Sequence, residues 1–296
     1  MTTTTDNVNI QIGIWSAFVS SIRLILADFL LNYFSAPWLL LTSAMAFPLF
    51  IPKAWKSWRM HRQWTKKTWK ALALIAFLSG SYNLTFLLSA DLLPIAVASM
   101  FLSIVPIVVL PLACLISKKI PTSLEILSII LVLAGVALIL QIHTGRYSLT
   151  GLLIGFLTSF IIAVATIFAG KSRNIVLASE VVISRQTGNI IFGLAGLSLY
   201  SKSDLHTTNH GFYLWSCLGL YGLVKIFDSF ISSRAQFRLP PLLYQNLSLL
   251  SLPIVCIIEA LIAKQFLTPL QWIGVLAIIC SGLLASLSKQ KPLEPI

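Results

Sequence analysis

The sequence predicts an all-α membrane protein with ten transmembrane helices arranged as two inverted five-helix repeats, and three observations lead there. Of the 296 residues, 57% are hydrophobic and only 10% are charged, too apolar a balance for a water-soluble domain. The apolar residues gather in ten low-charge runs, most of them close to the roughly 20 residues a helix needs to cross about 30 Å of hydrocarbon. Prolines and glycines then repeat at one offset: Pro94, Pro106 and Gly135 recur 147 residues later as Pro241, Pro253 and Gly282. A five-helix unit crosses the membrane an odd number of times, so its copy sits upside down.

In chain order the expected spans are 11–34, 37–52, 70–89, 94–116, 124–142, 150–170, 180–200, 212–232, 241–263 and 269–287. Residues 11–142 form the first repeat and 150–287 the second, both in one integrated bundle, with 1–10 and 288–296 as cytoplasmic tails. The first span is interrupted by Arg23, Asp28 and Asn32, and the second is short. A basic loop from Lys53 to Lys70 follows, with Trp55, Trp58, Trp64 and Trp69 among its cations. Such a segment also suits RNA, but cations facing anionic lipid and tryptophan at the interface account for both residue types. Membrane lipid is the expected partner and nucleic acid is not.

The third span carries Tyr82, Asn83 and Phe86, and the fourth opens on Pro94 and holds Pro106 well inside. At a helix start the missing proline amide costs nothing. Inside a helix the ring removes a hydrogen bond and bends the chain, which is tolerated against protein or a watery cavity. The ninth span repeats this pattern with Pro241 and Pro253, which predicts paired kinks facing a central cavity. Gly135 and Gly282, in the fifth and tenth spans, allow close helix packing.

Charge distribution orients the chain. With the N-terminus inside, cytoplasmic loops and tail hold fifteen of the 21 Lys and Arg, the opposite side three, and Arg23, Arg185 and Lys225 lie within spans. This bias places both termini in the cytoplasm, and an even number of spans fits it. No cleaved signal peptide is expected. Cys114, Cys217, Cys256 and Cys280 fall inside spans without metal-site spacing, so neither a disulfide framework nor a metal is expected. No catalytic motif or nucleotide-binding loop is present. The expectation is a protein that is not an enzyme, has no cofactor, and would draw energy from a gradient such as a coupling proton or from an exchange substrate.

Polar residues at membrane depth are the candidate pathway, because a charge in lipid costs several kcal/mol and normally faces the bundle interior. Arg23 and Asp28, five residues apart, point about 140° from each other, so Arg23 is expected to meet another helix. Tyr221, Lys225 and Asp228 share one helical face. They read either as a substrate site or as a self-neutralising pair. Tyr244, Gln245 and Asn246 precede Pro253 in the ninth span, and Glu259 follows it. Arg185, Gln186 and Asn189 occupy the cytoplasmic third of the seventh span, where Arg185 is expected to snorkel.

The run LLPIAVASMFLSIVPIVVLPLACLISKKIPTSLEILSIILVLAGVALIL, residues 92–140, resembles the signature of an EamA-type transporter of the drug/metabolite transporter superfamily. Its counterpart at 241–287, PLLYQNLSLLSLPIVCIIEALIAKQFLTPLQWIGVLAIICSGLLASL, is similar, and IWSAFVSSIR, from Ile14 to Arg23, resembles the family's opening helix. Lys118 and Gln265 stand where the family often has an acid, and WLLLTSAMAF lacks an arginine frequent in its second helix. The resemblance implies a bacterial inner-membrane carrier with a central cavity lined by both halves, moving a small-molecule substrate by alternating access. The mixture of Arg23 and Lys225 with Asp28, Asp228 and Glu259 favours a zwitterionic metabolite, an amino acid or derivative. S-adenosylmethionine is a narrower case, with Tyr82, Phe86, Tyr221 and Tyr244 to stack its purine. The alternatives are an exporter of lipophilic cations and a non-transporting scaffold or receptor.

Overall fold

Helices form wherever the low-charge runs allow them. The computed structural model describes residues 3–46, 48, 65–93, 95–117, 120–140, 148–199, 211–262 and 268–287, and every regular element among them is helical. The order is α1 Thr3–Leu31, α2 Ala36–Leu41 continued by a 3-10 turn Thr42–Ala46, α3 Lys66–Leu92, α4 Ile95–Ser117, α5 Ser123–Leu140 and α6 Leu149–Lys171. After a short 3-10 turn Ser172–Asn174 come α7 Ala178–Leu199, α8 Phe212–Arg238, α9 Pro241–Ser248, α10 Ser251–Ile262 and α11 Pro269–Leu287. Each expected span meets a helix, and the ninth meets two. Five stretches, Val8–Leu31, Lys66–Leu92, Val97–Ile116, Leu149–Asn174 and Phe212–Arg238, are long and apolar enough to cross a membrane. Large apolar side chains such as Trp15, Phe77, Phe156 and Leu283 stand exposed on the outside, the surface a bilayer would cover.

Three boundaries differ from the sequence expectation. Residues 3–10, expected as tail, are already helical. α1 ends at Leu31 because Asn32 Nδ2 turns back to the carbonyls of Asp28 (3.1 Å) and Phe29 (3.4 Å). The ninth span does not kink at Pro253 but breaks at Leu249–Leu250, and Pro253 falls in the first turn of α10, where no amide is missed. Pro106 does lie inside α4, together with Pro111. Pro94 and the loop from 49 to 64 lie outside the described residues.

Local signals account for the helix starts. Thr122 and Glu125 cap α5 reciprocally, at 2.8 and 3.3 Å. Thr268 and Gln271, each 146 residues further on, cap α11 with the same two distances. Such capping boxes satisfy orphan amides and typically contribute about 1 kcal/mol. Glu180 Oε2 takes the Leu177 amide at 2.8 Å ahead of α7.

Packing interleaves the halves: α1 lies along α8 and against α9 and α10, α3 along α6 and α7, α4 along α6, and α5 along α11. Close crossings are built on glycine. A Cβ at Gly188 in α7 would come within 1.9 Å of the Ala76 carbonyl in α3, and one at Gly222 in α8 within 3.1 Å of Thr42 Cβ. Ala76 and Gly222 differ by 146, as do Thr42 and Gly188. Two serines repeat the theme, each bonding its own helix and reaching across: Ser159 Oγ to the Phe101 carbonyl at 2.5 Å, and Ser21 Oγ to the Ser251 carbonyl at 3.2 Å.

Candidate functional site

Between the halves lies a cavity of about 120 Å³ walled by α1, α3, α4, α6, α7, α8, α9 and the start of α10. Its charged centre is an ion pair across the halves: Arg23 Nε lies 3.1 Å from Asp228 Oδ2, while Ser20 Oγ donates to Asp228 Oδ1 at 2.6 Å. One turn apart on α1, Ser20 and Arg23 face the same side, and the antiparallel run of α8 brings Asp228 to both. Arg23 thus meets another helix, as its position in the first span predicts.

Lys225 and Asp228 do not neutralise each other. Lys225 is 2% exposed, and its ammonium donates to the carbonyls of Leu39 (3.1 Å) and Leu40 (3.5 Å) at the end of α2, lying 5.8 Å from the Tyr221 ring centroid. The α-helix gives way to a 3-10 turn there; the Leu39 carbonyl also accepts from Thr42 Oγ1 at 2.7 Å and the Leu40 carbonyl from the Thr42 amide, so Lys225 takes the second lone pair of each, and a lysine suits a helix C-terminus. A helical wheel shows which residues share a face but not what other helices bring to it.

Arg185 does not snorkel. It is 7% exposed and lines the cavity, donating to Ser232 Oγ at 3.3 Å and to Gln236 Oε1. Beside it an amide relay joins three helices: Asn83 Nδ2 donates to Asn189 Oδ1 at 3.0 Å, Asn189 Nδ2 to Gln186 Oε1 at 3.3 Å, and Gln186 Nε2 to Ser229 Oγ at 2.7 Å. Sequence reading treats Arg185, Gln186 and Asn189 as structural. The usable signal was the polar run Ser184–Asn189 inside a span-length helix, more polar than an interfacial anchor needs.

Of the remaining sequence candidates, Tyr82, Tyr244 and Gln245 stand on the cavity wall, Gln245 with its amide 2.5 Å from Thr166 Oγ1. Tyr221 and Phe86 pack instead in the apolar cluster with Leu30, Leu39 and Leu218, Tyr221 behind Lys225. Asn246 turns away to Ser128 of α5 at 3.2 Å. Pro106 is buried in α4 and is not on the wall. The Glu259 side chain lies outside the described residues. The wall can therefore present a paired charge at its centre, guanidinium and ammonium groups to either side, and hydroxyls and amides between.

Comparison with known proteins agrees with this architecture. Residues 9–141 match the EamA-like transporter family. A protein of Helicobacter pylori strain J99 described as an uncharacterized transporter is 23% identical over 282 residues, covering 94% of this chain and 92% of its own. A solved crystal structure, 15% identical, superposes with a TM-score of 0.72 over 95% of this chain and 97% of that one. At that identity the likeness speaks for the fold alone.

Proposed function

We propose that this chain, an EamA-type member of the drug/metabolite transporter superfamily, moves a small polar metabolite through the cavity between its halves by alternating access. The observation that carries the reading is the Arg23–Asp228 pair, which sits on the cavity wall and joins a helix of one half to a helix of the other. Motion of the halves against each other would change the contacts of this pair, as a carrier requires.

Repeat symmetry supports the mechanism. The Ala76–Gly188 and Thr42–Gly222 crossings and the two capping boxes are matched features of the two halves. The cavity, about 120 Å³, is small beside the roughly 300–1,000 Å³ of drug-sized sites. That size favours an amino-acid-like solute over S-adenosylmethionine, and the wall's cations disfavour a lipophilic cation. A cavity lined by charged and polar side chains is also more than a scaffold needs.

The test is uptake and counterflow in proteoliposomes across amino acids, organic acids, nucleosides and S-adenosylmethionine. A small polar solute should accumulate with wild-type protein and not with Asp228→Asn. Accumulation that Asp228→Asn and Arg23→Met leave untouched would remove the cavity from the pathway.

A further inference from the structure

We infer that the solute is a small organic anion, held by Arg185 and Lys225, an assignment that rests on the carrier reading above. Among the described residues the cavity wall bears three cations, Arg23, Arg185 and Lys225, and one carboxylate, Asp228. That carboxylate is engaged by Arg23 at 3.1 Å and by Ser20 at 2.6 Å. Two cations remain whose partners are all neutral.

Lys225, 2% exposed, has the Leu39 and Leu40 carbonyls and the Tyr221 ring. Arg185, 7% exposed, has the Ser232 hydroxyl and the Gln236 amide oxygen. Neutral oxygens satisfy N–H groups, but they do not cancel a charge withdrawn from water, which costs several kcal/mol unless an opposite charge answers it. A lysine can escape by losing its proton. An arginine cannot, which makes Arg185 the firmer of the two. A net-neutral zwitterion leaves this excess in place and a cation enlarges it. A solute with net negative charge offsets it.

Geometry narrows the class. Ser232 and Gln236, which hold Arg185, lie seven and eleven residues beyond Lys225, roughly 10 and 16 Å along the axis of α8 at 1.5 Å per residue. Arg185 and Lys225 therefore flank the Arg23–Asp228 pair, and their long side chains can engage anionic groups at opposite ends of one short molecule. A planar guanidinium fork favours a carboxylate there. A dicarboxylate, or an acidic amino acid with its ammonium toward Asp228, matches this order within a cavity of about 120 Å³.

The experiment measures thermal stabilisation of the purified full chain, and counterflow in proteoliposomes, with succinate and glutamate against alanine, serine and tetraphenylphosphonium. Succinate or glutamate should stabilise and exchange at lower concentration than serine, and Arg185→Gln should raise the anion concentration needed at least tenfold, a larger factor than for serine, so that the preference for the anions over serine shrinks. If Arg185→Gln does not fold, Lys225→Met carries the same comparison. Exchange of alanine and serine with indifference to both anions, or unchanged anion affinity in the variant, would overturn the anion assignment and leave the carrier intact. Silence from every class would overturn both.

Discussion

α4 and the α9–α10 pair carry the same proline marks and meet different ends. α4 runs unbroken from Ile95 to Ser117 through Pro106 and Pro111, whereas its counterpart stops at Ser248 and restarts at Ser251. Proline alone therefore does not break the helix. The difference lies in its surroundings: Tyr244, Gln245, Asn246, Ser248 and Ser251 stand where Val97, Ala98, Ser99, Phe101 and Ile104 occur 147 residues earlier. Gln245 and Asn246 reach to Thr166 and Ser128 on other helices, Ser248 Oγ takes the Gln245 carbonyl at 2.7 Å, and Ser21 takes the Ser251 carbonyl. Side chains that bond elsewhere, and hydroxyls that occupy backbone carbonyls, offer the backbone an alternative to the helix. The same division runs through α3 and α8. Ser79, Tyr82 and Asn83 face the cavity at positions 146 before Lys225, Asp228 and Ser229, so one half offers neutral hydrogen-bonding groups where the other offers charge. Positions related by one offset in the sequence carry different chemistry.

The largest effect expected from this frame is all-or-none. If the halves are inverted, the connection between spans two and three and that between spans seven and eight lie on opposite sides of the membrane. In a background without the four native cysteines, a cysteine replacing His61 should react with an impermeant reagent only from the cytoplasm, because seven cations in the Lys53–Lys70 loop resist translocation. One replacing His206 should react only from outside. Labelling of both from one side would end the symmetric reading.

Next comes the charged centre. Asp228→Asn leaves Arg23, whose side chain is 21% exposed, without its carboxylate, which should cost less than the roughly 3–5 kcal/mol of a fully buried pair and abolish uptake. Adding Arg23→Met should restore most of the melting temperature without restoring transport. A stable double variant that transports normally would make the pair structural.

How far these features were legible from sequence depends on whether one helix or several determine them. The span positions and the interior Pro106 follow from residues within one segment, and they were readable. The fate of Lys225 was not, because its partners are backbone carbonyls of α2, and no pattern in the eighth span announces them. Arg185 misleads for a related reason: snorkelling is a property of a lipid-facing arginine, and only the packing of α7 against α8 turns it inward. The break at Leu249–Leu250 needed Thr166, Ser128 and Ser21, each from another helix.

A smaller effect separates the matched crossings. A Cβ at Gly188 meets the Ala76 carbonyl at 1.9 Å, rigid backbone, whereas one at Gly222 meets chiefly the end of a flexible methionine, Met45 Sδ at 2.7 Å. Gly188→Ala should therefore destabilise by about 1–3 kcal/mol, the usual cost of overpacking, and Gly222→Ala by clearly less. Thermal unfolding in detergent compares them. Equal losses would mean that the two crossings are equally rigid.

The smallest effect tests what breaks the ninth span. Pro253 sits in the first turn of α10, where its missing amide is no loss, and the Leu249 carbonyl four residues earlier already accepts from the Leu252 amide at 3.0 Å. Restoring an amide at position 253 gives that carbonyl a second donor but does not release Gln245 from Thr166 or Ser21 from the Ser251 carbonyl. Pro253→Ala should accordingly shift stability by less than about 1 kcal/mol and leave uptake near wild type. Pro106→Ala should likewise act weakly, since α4 is continuous already and gains only one hydrogen bond. If proline were instead the cause of the break, Pro253→Ala would fuse α9 with α10, draw Tyr244 and Gln245 off the cavity wall and suppress uptake while raising the melting temperature. A more stable, inactive Pro253→Ala protein beside an active Pro106→Ala protein would therefore assign the break to the ring rather than to the polar side chains around it.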